Sequence, residues 1–437
     1  MRPFRFFTFS CAIVAGYLTR TMPAAGQSAA PVELELKRYA ETHREDEIAT
    51  LARLVDINSG TMNAAGVRAV GSAVRRSLDS LGFKTSWLEL PTEVHRAGHL
   101  YAERRGNRGK RLLLIGHLDT VFEGDQRHFR RSDTLATGAG AYDMKGGDVV
   151  LLFALKALAS VGVLEGMQVS VLLTGDEESA GQPTSVSRAA LIEAARRSDA
   201  VIDFEPDAGA GTVAQRGAVM WVLRVTGRQF HSGQIFSPEA GYGSIYEAAR
   251  ILDGFRTAMA GERYLTFNPG VIAGGTDVGF DTLQLSAKTS GKDNIVSRST
   301  VVAGDLRFLY DSQMVHAQER MRQIVAHSLP GTSATISFND PYPAMSPSPR
   351  NDALLAVLDS ASRALGYGPV GVLDPAKRGA ADIAFAALYT AAINGVGVKG
   401  GGAHTPDEFV DLGSLPTATA RAAVFLYRLS RAAPATP

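Results

Sequence analysis

Residues 111 to 120 read RLLLIGHLDT: four large apolar residues, Leu112 to Ile115, run straight into His117 and Asp119. A run this apolar reads as a strand buried on both faces, the kind found in a sheet with helices on each side. Alternate residues of a strand share a face, so His117 and Asp119 point the same way from its C-terminal tip. That tip is where open α/β sheets place their ligands. A strand that merely surfaces and turns polar would show the same pair, and one H-x-D spacing does not separate the two readings.

Working outward, residues 32–57 and 64–82 carry apolar residues at helical spacing, the second run stopping at Gly82. Strands are predicted over 84–90, 99–104 and 111–118, a helix over 144–162 and a strand over 167–177. This alternation predicts an α/β fold with a mostly parallel sheet flanked by helices. The basic stretch AERRGNRGKR, 102–111, reads as a solvated hairpin turn about Gly106 and Gly109.

The pattern changes near Gly217. An alternating strand (218–229), a helix (243–259), strands (266–275, 281–290 and 299–310) and a helix (312–329) make a compact α+β unit. The chain then returns to helix-rich α/β character. The expected organisation is a catalytic domain over 31–216 and 334–437 with a small domain, 217–333, inserted into it.

The 437 residues are 45% hydrophobic and 20% charged, the composition of a globular protein. Lys plus Arg, 45, nearly cancels Asp plus Glu, 44, so no global field recruits nucleic acid or an anionic membrane. At the N-terminus, Arg2 and Arg5 precede the apolar run FFTFSCAIVAGYL and the small residues of TMPAAGQSAAP. That is the pattern of a secretory signal over 1–26, cut near Gly26, and it predicts a periplasmic or secreted protein with no membrane attachment after cleavage. The only cysteine, Cys11, lies inside this segment, so the mature chain would form no disulfide. Phe9-Ser10 before Cys11 and the apolar run after it argue against a lipid anchor there.

Further acids and a histidine fall at strand ends and helix starts, as His117 and Asp119 do. Asp143 sits in the glycine-rich TGAGAYDMKGG, Glu177 and Glu178 in LLTGDEESAG, Glu205 in AVIDFEP and His404 in VKGGGAHTPDEF. Each has an ordinary explanation: Asp143 as a helix cap, the glutamates as strand-end or turn residues, His404 as a loop histidine. Taken jointly, two histidines and several carboxylates at one sheet edge suit zinc, which accepts imidazole nitrogen and carboxylate oxygen. Two ions would account for the surplus of acids, with one carboxylate bridging them and another serving as base.

GHLDTV, YDMKGG, TGDEESAG, DFEPD and GGGAHTPDEF, in this order and spacing, resemble the dinuclear zinc peptidase family of bacterial glutamate carboxypeptidase, aminoacylase and succinyl-diaminopimelate desuccinylase. The resemblance covers nearly the whole mature chain. It implies that His117 and Glu205 hold one zinc, Glu178 and His404 the other, and that Asp143 bridges them, with cobalt as a substitute metal. It implies Asp119 as the carboxylate orienting His117, and Glu177 as the general base that passes a proton from the attacking water to the leaving amine.

In the inserted domain the resemblance implies that His231, in RQFHSG, stabilises the oxyanion across a homodimer interface. Asn294, in KDNIVS, and Arg307, in GDLRFLY, would bind the terminal carboxylate of a peptide or N-acyl amino acid substrate. Glutamate carboxypeptidase is the nearest member by DFEPD, GGAHTPDEF, ADIAFAALY and the export signal. Two departures leave the side-chain preference open. KRGAADIAF has Arg378 and two alanines where relatives have a glycine-rich stretch with a hydroxyl residue. No substrate-binding lysine lies between Glu205 and Gly217, where Arg216 could take its place. The expected activity is release of a C-terminal amino acid, with an N-acyl amino acid amidohydrolase as the alternative enzyme. An inactive peptide-binding protein is the alternative of another class.

Overall fold

The computed structural model describes residues 29–124, 127–282 and 285–433. The expected signal segment and Cys11 lie outside the described residues. Among the described residues no helix is long and apolar enough to cross a membrane.

The apolar run of residues 112–115 does form a strand buried on both faces. Leu112 and Leu114 pack in one core with Val150, Phe153, Val171 and Phe425. Leu113 and Ile115 pack in another with Leu172, Leu191, Val201 and Ile383. The two-residue period of the strand divides its side chains between helical layers on opposite sides of one sheet.

That sheet runs in the order Lys84–Leu88, His99–Arg104, Met167–Thr174, Arg108–His117, Ala200–Asp203, Ala391–Ile393. The last four strands are parallel to one another. The first two are antiparallel to their neighbours, so the sheet is mixed. The antiparallel edge follows from the short connection between the first two strands, because a parallel pair needs a longer crossover.

The hairpin expected at 102–111 is corrected. His99–Arg104 and Arg108–His117 do not pair; Met167–Thr174 lies between them. The link crosses the end of that intervening strand, with Asn107 N donating to Gly166 O at 3.2 Å. Gly106 is required at the crossing, since a Cβ there would stand 2.2 Å from Gly166 O. Three residues suffice for a step of two strand spacings, about 10 Å.

The helix read over 32–57 is two helices, Pro31–Thr42 and Arg44–Val55. The Thr42 hydroxyl donates back to Arg38 O and Tyr39 O, and the His43 ring stacks on Tyr39 with centroids 3.8 Å apart. Such local side-chain bonds compete with helix continuation.

The inserted unit is a four-stranded antiparallel sheet in the order Thr332–Phe338, Gly217–Gly227, Ser299–Phe308, Thr266–Gly275. Helices Gly243–Met259 and Asp311–Val325 cover one face, packing Phe255 and Met321 against Trp221, Leu223, Val302 and Leu306. The strand Thr332–Phe338 straddles the expected boundary at 333, which therefore moves beyond 338. Its exposure alternates residue by residue, as on an edge strand with one covered face. Residues 281–290, read as one strand, are a hairpin of Asp277–Asp281 with Ser286–Ser290. The chain enters and leaves this unit through a paired crossing, where Ala218 and Tyr342 exchange backbone hydrogen bonds of 3.0 and 2.8 Å.

Candidate metal centre

His117 is the last residue of its strand, and its imidazole is fully buried. Nδ1 faces Asp119 O at 3.0 Å and lies 3.5 Å from Asp119 Oδ1. Nε2 looks outward, 3.3 Å from Asp143 Oδ1 and 3.4 Å from Glu205 Oε1. Glu205 follows the neighbouring parallel strand Ala200–Asp203, so sheet register brings it beside His117.

Asp143 is carried by the loop before helix Lys145–Ser160. That helix approaches the sheet closely at Gly147, where a Cβ would stand 1.9 Å from Phe204 O. The Asp143 carboxylate lies between two rings, Oδ1 toward His117 and Oδ2 toward His404 Nε2 at 3.3 Å. His404 also lies 3.0 Å from Glu178 Oε2. Its backbone is in the left-handed region, φ 64°, which few residues with a Cβ adopt and which recurs at functional sites.

Two acids organise this cluster from behind. Asp119 is fully buried and accepts from Thr61 Oγ1 at 2.7 Å, from Glu177 N at 3.0 Å and from Glu178 N at 3.1 Å. It thus faces the His117 ring while holding the backbone of both glutamates. Glu408, which sequence reasoning missed, accepts from the backbone N–H of Gly140, Tyr142 and Asp143 at 3.2, 2.8 and 2.9 Å. It ties the Asp143 loop to the His404 loop. Its position four residues after His404, inside GGGAHTPDEF, was the only sequence signal for it.

Behind Glu177 lies a further network without sequence precedent. Arg188 is fully buried and donates to Asp382 Oδ1 at 2.6 Å, Asp176 Oδ1 at 2.7 Å and the Tyr342 hydroxyl at 2.8 Å. The Tyr342 hydroxyl in turn donates to Glu177 O at 3.2 Å. The paired crossing into the inserted unit is therefore hydrogen-bonded to the loop bearing Glu177.

The electrostatics follow from crowding. Burial opposes charge on His117, yet its contacts with Asp119, Asp143 and Glu205 outweigh that and hold its pKa well above the usual value. Burial would raise Asp143, but the two histidines hold it below the usual range. Contacts with Asp143 and Glu178 push His404 up to about 10. Burial drives Glu178 to about 7, helped by repulsion from Asp143, and drives Glu177 well above the usual glutamate value, with Glu205 and Asp382 adding to it.

A cluster that draws this much positive charge onto imidazoles suits divalent cations, which would supply the charge and take neutral histidines as ligands. The donor atoms agree with that. One offered by each of His117, Asp143 and Glu178 lie within 4.8 Å of one another, as do those of His117, Glu177 and Glu205. Glu178 Oε1 is buried without a hydrogen-bond partner. The donors are imidazole nitrogens and carboxylate oxygens, the set zinc accepts.

The expected residues of the inserted unit stand elsewhere. His231 is exposed, its Nδ1 accepting from Gly233 N at 3.2 Å. Asn294 lies beside it, its carbonyl accepting from Ser232 N at 2.9 Å. Arg307 pairs with Asp305 at 2.6 Å. None of the three lines the cleft of about 300 Å³ that contains Asp143, Glu177, Glu178, Glu205 and His404.

Residues 113–428 match the model of peptidase family M20/M25/M40. The chain is 28% identical over 388 residues to carboxypeptidase G2 of Pseudomonas sp. (strain RS-16), covering 84% of this chain and 86% of that one. It is 26% identical over 400 residues to the succinyl-diaminopimelate desuccinylase of Gluconacetobacter diazotrophicus, covering 87% and 96%. Among solved structures, a tripeptidase from Staphylococcus aureus superposes with a TM-score of 0.68 at 17% identity, covering 89% of this chain and 99% of that one.

Proposed function

The chain belongs to peptidase family M20/M25/M40 and is a peptidase or amide hydrolase; within that family, we propose that it is a dinuclear zinc carboxypeptidase. In this reading His117 and Glu205 would hold one zinc and Glu178 and His404 the other, with Asp143 shared between them. The observation that carries it is the Asp143 carboxylate, with one oxygen facing each histidine, beside the unpartnered Glu178 Oε1.

When bound, the metal ions supply Lewis acidity that polarises the scissile carbonyl and acidifies water. The rest falls to the chain. Glu177 takes a proton from the attacking water on its carboxylate and returns it to the departing amine nitrogen. Asp119 holds the His117 ring and the backbone of Glu177 and Glu178. Arg307 and Asn294 bind the terminal carboxylate, and His231 of one protomer stabilises the oxyanion formed in its partner. Export by the first 26 residues and a homodimer through the inserted unit belong to the same proposal.

Similarity to a protein named as a desuccinylase favours a second reading, hydrolysis of N-acyl amino acids at the same centre. Metal analysis of purified protein, then turnover of folyl-glutamate, simple dipeptides and N-acetyl amino acids, separates the two. Fewer than two metal ions per chain in an active preparation would overturn the dinuclear reading. Mixing a His231→Ala chain with a Glu177→Gln chain tests the shared site. A confirmed mixed dimer with no recovered activity would refute it.

A further inference from the structure

Three helices, Arg44–Val55, Ala64–Ser80 and Lys145–Ser160, meet over a cleft of about 460 Å³. Each helix gives it one face at helical spacing: Thr50, Arg53 and Leu54 from the first, Ala73, Arg76 and Ser77 from the second, Leu152 and Lys156 from the third. Buried Leu54, Val74 and Leu152 form the floor. The rim holds three cations, Arg53, Arg76 and Lys156, and no acid among the described residues lines the space. The cleft shares no residue with the one at the metal centre.

These cations are unanswered. On the same helices Arg44, Arg68 and Arg75 pair with Glu45, Glu89 and Asp79. Arg53, Arg76 and Lys156 form no ion pair among the described residues. Arg53 Nη2 donates to Thr50 Oγ1 at 2.8 Å, and the Lys156 ammonium stands 4.0 Å from the centre of the Phe153 ring. Burial and repulsion from Arg53 lower the Lys156 pKa, against the pull of Asp46 and Glu47. Helix dipoles account for only one of the three charges. Arg53 stands in the last turn of its helix, whereas the last turns of the other two carry no basic residue. Hydroxyls complete the rim. Thr50 Oγ1 accepts from Arg53 and keeps its own proton to donate, and Ser77 Oγ has no hydrogen-bond partner among the described residues.

We propose that this cleft binds a phosphate monoester, with the phosphate on Arg53, Arg76 and Lys156 and the organic part on the apolar floor. A phosphate monoester brings about two negative charges and three strong acceptor oxygens. A carboxylate brings one charge and two oxygens. Two planar guanidinium forks, a compact ammonium and two hydroxyl donors match the phosphate. The space is larger than a bare phosphate fills, and its floor rewards contact with an apolar group. The site stands apart from the catalytic reading and does not depend on it.

Calorimetric titration of the metal-loaded protein with phenyl phosphate tests the proposal. Phosphates also bind divalent metal ions, so two controls divide the heat: the part that chelation removes belongs to the metal centre, and the part that Lys156→Met and Arg76→Met remove belongs to the cleft. One phenyl phosphate per chain is expected in the cleft, bound about tenfold more tightly than inorganic phosphate or benzoate. At saturation it should raise the urea midpoint, because it binds the folded state alone. Each variant is expected to weaken this binding about tenfold, the worth of a hydrogen bond to a charged group. Neither side chain holds an ion pair, so both variants should unfold near the parent midpoint without ligand. Co-sedimentation of the parent, but of neither variant, with vesicles containing phosphatidic acid would assign the phosphate to a lipid headgroup. Soluble binding without co-sedimentation assigns it to a free ester.

Phenyl phosphate binding confined to the part that chelation removes, or heat left intact by both variants, would overturn the proposal. So would phenol or benzoate bound as tightly as phenyl phosphate, because the cleft would then not read the charge of a phosphate.

Discussion

Arg188→Met should cost this protein much of its stability, and the cost should depend on pH. The guanidinium is fully buried and each of its five N–H groups is used. They go to Asp382 Oδ1, Asp176 Oδ1, Asp176 O, Ser187 Oγ and the Tyr342 hydroxyl, at 2.6 to 3.0 Å. Methionine fills a similar volume but leaves Asp176 and Asp382 buried without a counter-charge. Removing one partner of a buried ion pair costs about 3–5 kcal/mol.

Protonation sets a ceiling on that cost. Neutralising an aspartate with an ordinary pKa of about 3.9 costs about 4 kcal/mol at pH 7. After one acid takes a proton, the other keeps hydrogen bonds from Thr174 or Gly181. The expected loss at pH 7 is therefore about 4 kcal/mol. In the variant the acid's folded pKa rises above its unfolded value, so stability is present below about pH 4 and is lost as pH rises. The deficit should shrink by about 1.4 kcal/mol for each pH unit toward 5. Urea unfolding of parent and variant at pH 5, 6, 7 and 8 measures it. A variant within about 1 kcal/mol of the parent at pH 8, or a deficit independent of pH, would refute the reasoning.

Glu177→Gln should retain both metal ions and lose about 10²- to 10⁴-fold in kcat, checked by metal analysis and steady-state kinetics on one preparation. His404→Ala should lower the bound metal by one equivalent while leaving the far-UV spectrum unchanged, because His404 stands on a loop at the mouth of the cleft. Glu47 lies far from the site in sequence, its carboxylate oxygens buried without hydrogen-bond partners. Burial pushes it up to about 8, with only modest relief from Thr419. The folded state thus holds an extra proton between about pH 4.5 and 8, and stability falls as pH rises through that window. Glu47→Gln should remove that slope and stabilise the protein by about 3 kcal/mol at pH 7, read as a shift in the urea midpoint.

Sequence by itself determined which segments are buried and where the chemistry-bearing residues fall along them. Burial leaves a short-range mark: the unbroken apolar run of residues 112–115 for a strand covered on both faces, helical spacing over 64–82, and the β-rich apolar stretch of residues 218–225. The acids and histidines at the ends of those segments were legible for the same reason. Tertiary structure alone decided which strands are neighbours. It put Met167–Thr174 between two strands that are only three residues apart in sequence, and it added Thr332–Phe338 to the inserted sheet. It also brought Arg188 onto Asp382, 194 residues away, and Glu408 onto the Asp143 loop, 265 residues away. Pairing order and buried charge networks arise from contacts between distant segments, whose energies depend on desolvation and geometry reached only in the folded state. No local periodicity encodes them.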